Sequence, residues 1–124
     1  HGIIEFLDWV YAQQKTLICV TNKPERPARK ILEVLKMDHY FADVIGGDRF
    51  EVRKPDPKPL LHCVEAFDTT PAQTLMIGDS SNDVEAARRA GIDCIVVSYG
   101  YNHGEDIQLC HPQQVVDDLT VLLI

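Results

Sequence analysis

Apolar residues along the chain alternate between helical spacing and short continuous runs. Near the start they recur at intervals of three and four, which predicts an amphipathic helix over residues 3–14. Residues 17–20 are then apolar without a break, as in a strand that is covered on both faces. By the same criteria we predict strands at 17–20, 44–45, 74–77, 95–97 and 115–116, and further helices from Pro24 to about Lys36, from the 54–59 segment to about Phe67, and over 82–90.

This alternation of strands and helices determines the predicted fold class. Strands that are separated by helices are joined by right-handed parallel crossovers, which gives an open, doubly wound, mostly parallel α/β sheet of the Rossmann-like type. The chain has neither an internal repeat nor a linker, so we treat residues 1–124 as one partial core domain. Ligands of such sheets bind beyond the carboxyl ends of the strands, and the polar residues at those ends are therefore the candidates for function.

Composition and charge narrow the classes of function. Of the 124 residues, 45% are hydrophobic and 25% are charged, which is typical of a globular domain. A net charge of −7 leaves no basic surface for nucleic acid, and no apolar run approaches the roughly 20 residues that a membrane span needs. The four cysteines lack CxxC or CxxH spacing, which argues against a zinc site or a disulfide framework. We expect a reduced, cytoplasmic protein without nucleic-acid or membrane partners.

Two segments that follow strands carry groups suited to a bound anion. Thr21 and Asn22 come directly after the apolar run, where a hydroxyl and exposed backbone N–H groups make an anion cradle. The alternative is that Thr21 only caps the turn. Lys54 lies between an extended segment and a series of prolines, which can direct its ammonium group at one point as a phosphate ligand. The alternative for Lys54 is an ordinary surface lysine.

The strongest candidate is the segment MIGDSSND at residues 76–83. Gly78 allows a tight turn after a buried strand, Asp79 follows at the strand's end, and Asp83 comes four residues later. Both carboxylates can then face one site, and hard oxygen ligands with room for water suit magnesium rather than zinc. The alternative is that Asp79 caps the turn and Asp83 complements the helix dipole.

The helix that follows this segment has recognisable ends. Asn82 with Glu85 three residues later resembles a capping box, and Gly91 is a natural C-terminal stop. Together with the hydroxyl and the ammonium group, the carboxylate pair suits a phosphoryl group and its metal ion. An attacking carboxylate is not visible, because no acidic residue ends a strand ahead of Thr21.

Five motifs occur along the chain: VTNKP (20–24), VIGGD (44–48), KPDPKP (54–59), GDSSNDVEAARRAG (78–91) and YGYNHGE (99–105). With them the chain resembles the haloacid dehalogenase-like phosphatases, and specifically the phosphoglycolate phosphatase group. The resemblance implies a magnesium-dependent phosphatase that hydrolyses a small phosphomonoester, 2-phosphoglycolate in the first place, through an aspartyl-phosphate. Members of the family carry the nucleophile in an N-terminal DxD motif that an inserted helical cap follows, and neither is in these residues.

The resemblance also implies roles for individual residues. Thr21 and Asn22 would contact the phosphoryl oxygens, and Lys54 would neutralise charge on the phosphate and on the nucleophile. Asp79 would ligate Mg²⁺, and Asp83 would orient ligands or a metal-bound water. Because the nucleophile is missing from the sequence, we expect the 124-residue chain to be inactive alone.

Three other classes of protein compete with this interpretation. One is a catalytically inactive fragment that serves only as a folding or assembly module. Another is a phosphoacceptor receiver domain, but such domains place their lysine after the acceptor aspartate, whereas Lys54 precedes Asp79. The third is a dehalogenase of the same superfamily, which needs no metal.

The missing N-terminal strand has a structural consequence. In the family's sheet it lies between the strands that end at Thr21 and Asp79, and an open gap would leave unpaired N–H and C=O groups at ~1–3 kcal/mol each. Either the two strands close up and pair directly, or a strand from another polypeptide fills the slot. We expect the second, because helices on both faces are shaped for the wider sheet.

Overall fold

The computed structural model describes residues 3–97 and 114–116, and its elements alternate as expected for an α/β fold. All the described strand pairs are parallel. The motif at 99–105 and the chain end after residue 116 lie outside the described residues. The elements are α1 (Ile3–Ala12), β1 (Ile18–Val20), α2 (Glu25–Val34), β2 (Asp43–Ile45), α3 (Lys58–Ala66), β3 (Leu75–Gly78), α4 (Ser81–Ala90), β4 (Asp93–Val97) and β5 (Gln114–Val116), with short 3₁₀ turns at Asp38–Tyr40 and Pro71–Gln73.

The described residues group into two compact units, 3–51 and 52–97 with 114–116. In the first, β1 pairs with β2, in a register that places Ile18 beside Asp43 and Val20 beside Ile45. β2 buries its apolar residues, whereas the three residues of β1 are only half-buried. The expectation that this apolar run is covered on both faces is therefore wrong for β1, which belongs to a two-stranded sheet.

In the second unit, the strands form a three-stranded sheet in the order β3-β4-β5. β4 is the central strand and is the most buried, with Val96 fully inaccessible to solvent. Helix α4 packs on this sheet through its alanine-rich face and contacts α3. The buried apolar side chains among the described residues of the unit include Leu60, Cys63 and Val64 on α3, Val84, Ala86, Ala87 and Ala90 on α4, and Ile92, Cys94, Val96 and Val97 in or next to β4.

The start of α4 differs from the predicted capping box. Ser80 is the N-cap residue, in extended conformation, and Asp83 rather than Glu85 occupies the third helical position and accepts the N-cap N–H. The box lies two residues earlier because the chain turns into the helix directly after Asp79. The predicted C-terminal stop is confirmed, since Gly91 ends the helix in the left-handed conformation with φ 74°.

The sheet order bears on the expected slot for a missing strand. β1 and β3 belong to different sheets, so direct pairing of these two strands does not occur. Filling of the slot by another polypeptide remains a prediction. Within the described ranges, no helix is both long and apolar enough to cross a bilayer.

Candidate functional site

A buried ion pair lies at the start of α4. The Nζ atom of Lys54 is 2.6 Å from Oδ1 of Asp83, and the two side chains are only 9% and 6% exposed. Lys54 is therefore not an ordinary surface lysine, which was the alternative interpretation. The pair joins the 54–59 segment to the first turn of α4, through two residues that are 29 positions apart in the sequence.

The second carboxylate oxygen of Asp83 holds that turn. Oδ2 accepts the backbone N–H groups of Asp79 at 2.8 Å and Ser80 at 3.3 Å. One carboxylate oxygen of Asp83 thus contacts Lys54, and the other accepts hydrogen bonds from the turn that carries Asp79. Asp83 is also the one buried charged residue among those that the structure describes. These contacts make it a residue that positions Lys54 and Asp79.

Opposing effects determine the ionisation of Asp83. Burial disfavours the charged carboxylate, but the Lys54 ammonium group and the hydrogen bonds from Lys54 and Asp79 outweigh burial and hold the pKa of Asp83 below its ordinary value. Asp83 is therefore an anion at neutral pH. A buried anion of this kind persists only where such partners compensate the lost hydration.

The glycine before this turn is required by space. A Cβ atom at Gly78 would lie 2.4 Å from both Cβ and Oδ2 of Asp83, far inside van der Waals contact. Any larger residue would displace the Asp83 carboxylate. The sequence analysis assigned Gly78 to a tight turn, but the structure gives the close approach of Asp83 as the physical reason.

Asp79 follows β3 directly and is half-buried. Among the described residues, no group of three or more histidine, cysteine or acidic side chains could hold a metal ion. Magnesium is usually bound through one or two carboxylates, with waters and substrate phosphate oxygens completing the shell. Asp79 fits that pattern as one ligand, and Asp83 fits it as a residue behind the ligand because its oxygens already accept protein hydrogen bonds.

Thr21 and Asn22 lie in the other compact unit, in the loop between β1 and α2. The Thr21 N–H donates to the Ile45 carbonyl at 3.0 Å, which continues the β1–β2 pairing by one residue. Its hydroxyl oxygen accepts the Lys23 N–H at 3.1 Å. The turn-capping interpretation of Thr21 is thus realised. This contact uses the oxygen as an acceptor and leaves the hydroxyl proton to donate to a ligand.

The structure brings Lys54, Asp79 and Asp83 together in one unit and describes Thr21 with Asn22 in the other. It also contains a charge cluster that the sequence analysis did not single out. Four side chains that contact one another form it: Glu25, Arg29, Asp43 and Arg49. The sequence did contain a signal for this part of the molecule, namely the motif VIGGD followed by Arg49. Two glycines after a strand indicate that another segment of backbone approaches closely there.

Comparison with known proteins identifies the class. Residues 1–97 match the family model of haloacid dehalogenase-like hydrolases, and the chain belongs to this family. The doubly wound, Rossmann-like core that was expected is confirmed by solved structures of the family. Membership also shows that the receiver-domain interpretation is wrong.

Several of the similar proteins are named as phosphoglycolate phosphatases. A phosphoglycolate phosphatase of Pseudomonas putida is 42% identical over 122 residues, which are 98% of this chain and 45% of that protein. One of Psychrobacter arcticus is 46% identical over 107 residues, or 86% of this chain and 46% of that protein. The crystal structure of a predicted phosphoglycolate phosphatase from Haemophilus somnus superposes with a TM-score of 0.94 at 35% identity and covers 98% of this chain and 54% of that one. The chain thus spans about half the length of the relatives it matches.

Proposed function

We propose that this chain belongs to a magnesium-dependent phosphatase that hydrolyses a small phosphomonoester, with 2-phosphoglycolate as the first candidate. The observation that carries the proposal is the buried Lys54–Asp83 pair at the turn that presents Asp79. A cation that is fixed by a buried partner can stabilise developing charge on a phosphoryl group without reorganising during the reaction. The names of the relatives supply the substrate.

Lys54 and Asp83 have different roles in this proposal. Lys54 neutralises negative charge on the phosphate and on the attacking carboxylate, because an ammonium group binds phosphate as a compact charge. Asp83 fixes the direction of that ammonium group and orients the turn of Asp79 through its hydrogen bonds. Lys54 is thus the catalytic residue and Asp83 its positioning residue.

Thr21 and Asn22 are proposed to bind the phosphoryl oxygens. The Thr21 hydroxyl and the side-chain amide of Asn22 are donors that suit such oxygens. Asp79 is proposed as the protein carboxylate that ligates Mg²⁺. When bound, the ion supplies charge neutralisation and orientation of the phosphate.

The attacking carboxylate is proposed to come from polypeptide beyond these 124 residues. An aspartyl-phosphate needs an acidic residue beside the phosphate, and none ends a strand ahead of Thr21 in this sequence. A preceding segment or a separate chain would supply it. The competing proposal, an inactive assembly module, predicts that no such partner restores activity.

Phosphate release tests the proposal. We expect the full-length protein to release phosphate from 2-phosphoglycolate in the presence of Mg²⁺, and we expect Asp79→Asn to demand much more Mg²⁺ for half-maximal activity. The isolated 124-residue chain should give no turnover with 2-phosphoglycolate or p-nitrophenyl phosphate. An unchanged Mg²⁺ requirement in Asp79→Asn would move the metal site elsewhere, and turnover by the isolated chain that Asp79→Asn abolishes would refute the external nucleophile.

A further inference from the structure

We infer that the turn at residues 46–49, which follows β2, positions the Thr21–Asn22 loop for phosphate binding, with Asp48 and Gly47 as its positioning residues. The inference rests on the proposed role of that loop. It adds residues that do not touch the phosphate themselves but set the geometry of those that do. All the contacts involved lie within the unit 3–51.

Three hydrogen bonds tie the loop to β2 and the turn along its length. The Thr21 N–H donates to the Ile45 carbonyl at 3.0 Å, and the Gly47 N–H donates to the Lys23 carbonyl at 2.7 Å. At the far end, Oδ1 of Asp48 accepts the Glu25 N–H at 2.8 Å. The beginning, middle and end of the loop are thus each fixed by the same neighbouring segment.

The approach of the two segments leaves no room at Gly47. A Cβ atom there would lie 2.2 Å from the carbonyl oxygen of Asn22 and 2.7 Å from its carbonyl carbon. Both are backbone atoms, so they cannot rotate away as a flexible side chain could. An alanine at position 47 must therefore displace the loop at the residue that is proposed to bind phosphate.

Arg49 anchors the turn to the rest of the unit. Its guanidinium group donates to Oε1 of Glu25 at 2.8 Å, to Oδ2 of Asp43 at 3.0 Å and to the Val44 carbonyl at 3.0 Å. Arg29 makes a second set of contacts to the same two carboxylates. The turn is consequently held at both the start of α2 and the start of β2, and so it can serve as a rigid support.

Asp48 also determines which N–H groups remain for an anion. The N-terminus of a helix is a ready anion site, but the first N–H of α2 already donates to the Asp48 carboxylate. In the loop itself the Thr21 N–H already donates to Ile45 and the Lys23 N–H to the Thr21 hydroxyl oxygen, so the groups that this inference assigns to a phosphate are the Thr21 hydroxyl and the Asn22 side chain. The turn thus directs phosphate to the loop and away from the helix end.

The test compares Asp48→Ala with Asp48→Asn in the full-length protein. Asparagine keeps an oxygen for the Glu25 N–H without the charge, whereas alanine removes the acceptor. We expect Asp48→Ala and Gly47→Ala to raise both KM and the inhibition constant of inorganic phosphate by about tenfold or more, the scale of a slightly misplaced binding group. Asp48→Asn should stay within about twofold of the wild type, as should Asp38→Ala, which removes an exposed carboxylate from the same unit.

The outcomes separate this inference from the proposed function. Thr21→Ala tests the loop directly: if it leaves phosphate inhibition unchanged, the loop is not the phosphate site and the proposed role fails. If Thr21→Ala weakens phosphate binding but Asp48→Ala does not, the turn has no positioning role and the inference is wrong. Equal effects of Asp48→Ala and Asp48→Asn would assign the effect to charge alone and would also overturn it. Thermal unfolding midpoints identify a Gly47→Ala variant that has lost its fold, in which case the Asp48 pair decides.

Discussion

In the full-length protein, replacement of Lys54 by methionine separates the catalytic role of this residue from its role in stability. The variant keeps most of the side-chain volume and removes the ammonium group, so that the Asp83 carboxylate stays buried without its cation. Both side chains of the pair are under a tenth exposed, and solvent therefore cannot substitute for the missing partner. Removing one member of a buried pair costs about 3–5 kcal/mol. The backbone N–H groups of Asp79 and Ser80 still donate to the Asp83 carboxylate, which places the cost for this variant toward the lower end of that range.

Two effects follow, and they have different sizes. A loss near 3 kcal/mol lowers the unfolding midpoint by roughly 6–12 °C in a protein of 150–250 residues. Loss of one preorganised charge stabiliser lowers kcat by about 10²-fold or more. Lys58→Met is the matched control, because Lys58 is an exposed lysine four residues away. It should change kcat by less than about twofold, as surface substitutions generally do.

The double variant Lys54→Met with Asp83→Asn distinguishes the two roles of Lys54. Asparagine removes the uncompensated charge and still offers an oxygen to the Asp79 N–H. We expect most of the lost stability to return, while kcat remains low because no cation faces the phosphate. Phosphate release at saturating 2-phosphoglycolate and Mg²⁺ gives kcat, and denaturant unfolding gives stability. If kcat recovers together with stability, Lys54 has only a structural role and the mechanism proposed for it is wrong.

Two further predictions concern stability. The hydrogen bond from Arg49 holds the pKa of Asp43 below its ordinary value. Burial opposes the ionisation of Glu25, but hydrogen bonds from Gly46 and Arg49 outweigh burial and lower the pKa of Glu25 as well. The cluster therefore stabilises the fold above the unfolded carboxyl pKa values of about 4 and loses that contribution as the pH falls through the lowered folded values. The difference in unfolding midpoint between the wild type and Arg49→Gln should accordingly be full at about pH 6 and should shrink in acid, and a difference that is independent of pH would contradict it. In the β4 core, Val96→Ala should lower the free energy of unfolding by about 1–3 kcal/mol. Val34→Ala, at an exposed position, should change it by less than about 0.5 kcal/mol. Equal losses for the two variants in denaturant unfolding would show that β4 is not part of the core.

Local patterns along the chain were sufficient for the order and type of the elements. Strands and helices follow from the spacing of apolar residues, which is a property of neighbours in sequence. The candidate residues Thr21, Lys54, Asp79 and Asp83 followed from one further rule, that parallel strands present their carboxyl ends to ligands. The burial of each strand was harder to predict from the sequence. β1 is apolar throughout yet only half-buried, because coverage depends on which strands pair with it.

Only the tertiary structure determined what each polar side chain contacts. The sequence allowed Asp83 to face a magnesium site or to complement the helix dipole, and the structure shows its oxygens bonded to Lys54 and to the backbone N–H groups of the turn that carries Asp79. It likewise gave no sign that Asp48 would accept the first N–H of α2, since these groups are 23 residues apart. Such contacts form only when segments that are distant in the sequence are placed accurately against each other. The spacing of residues along the chain does not specify that placement. The sequence determined which functional groups were available. The packing of β3 against α4 and the pairing of β1 with β2 decided which of these groups position their neighbours and which are left to bind a ligand.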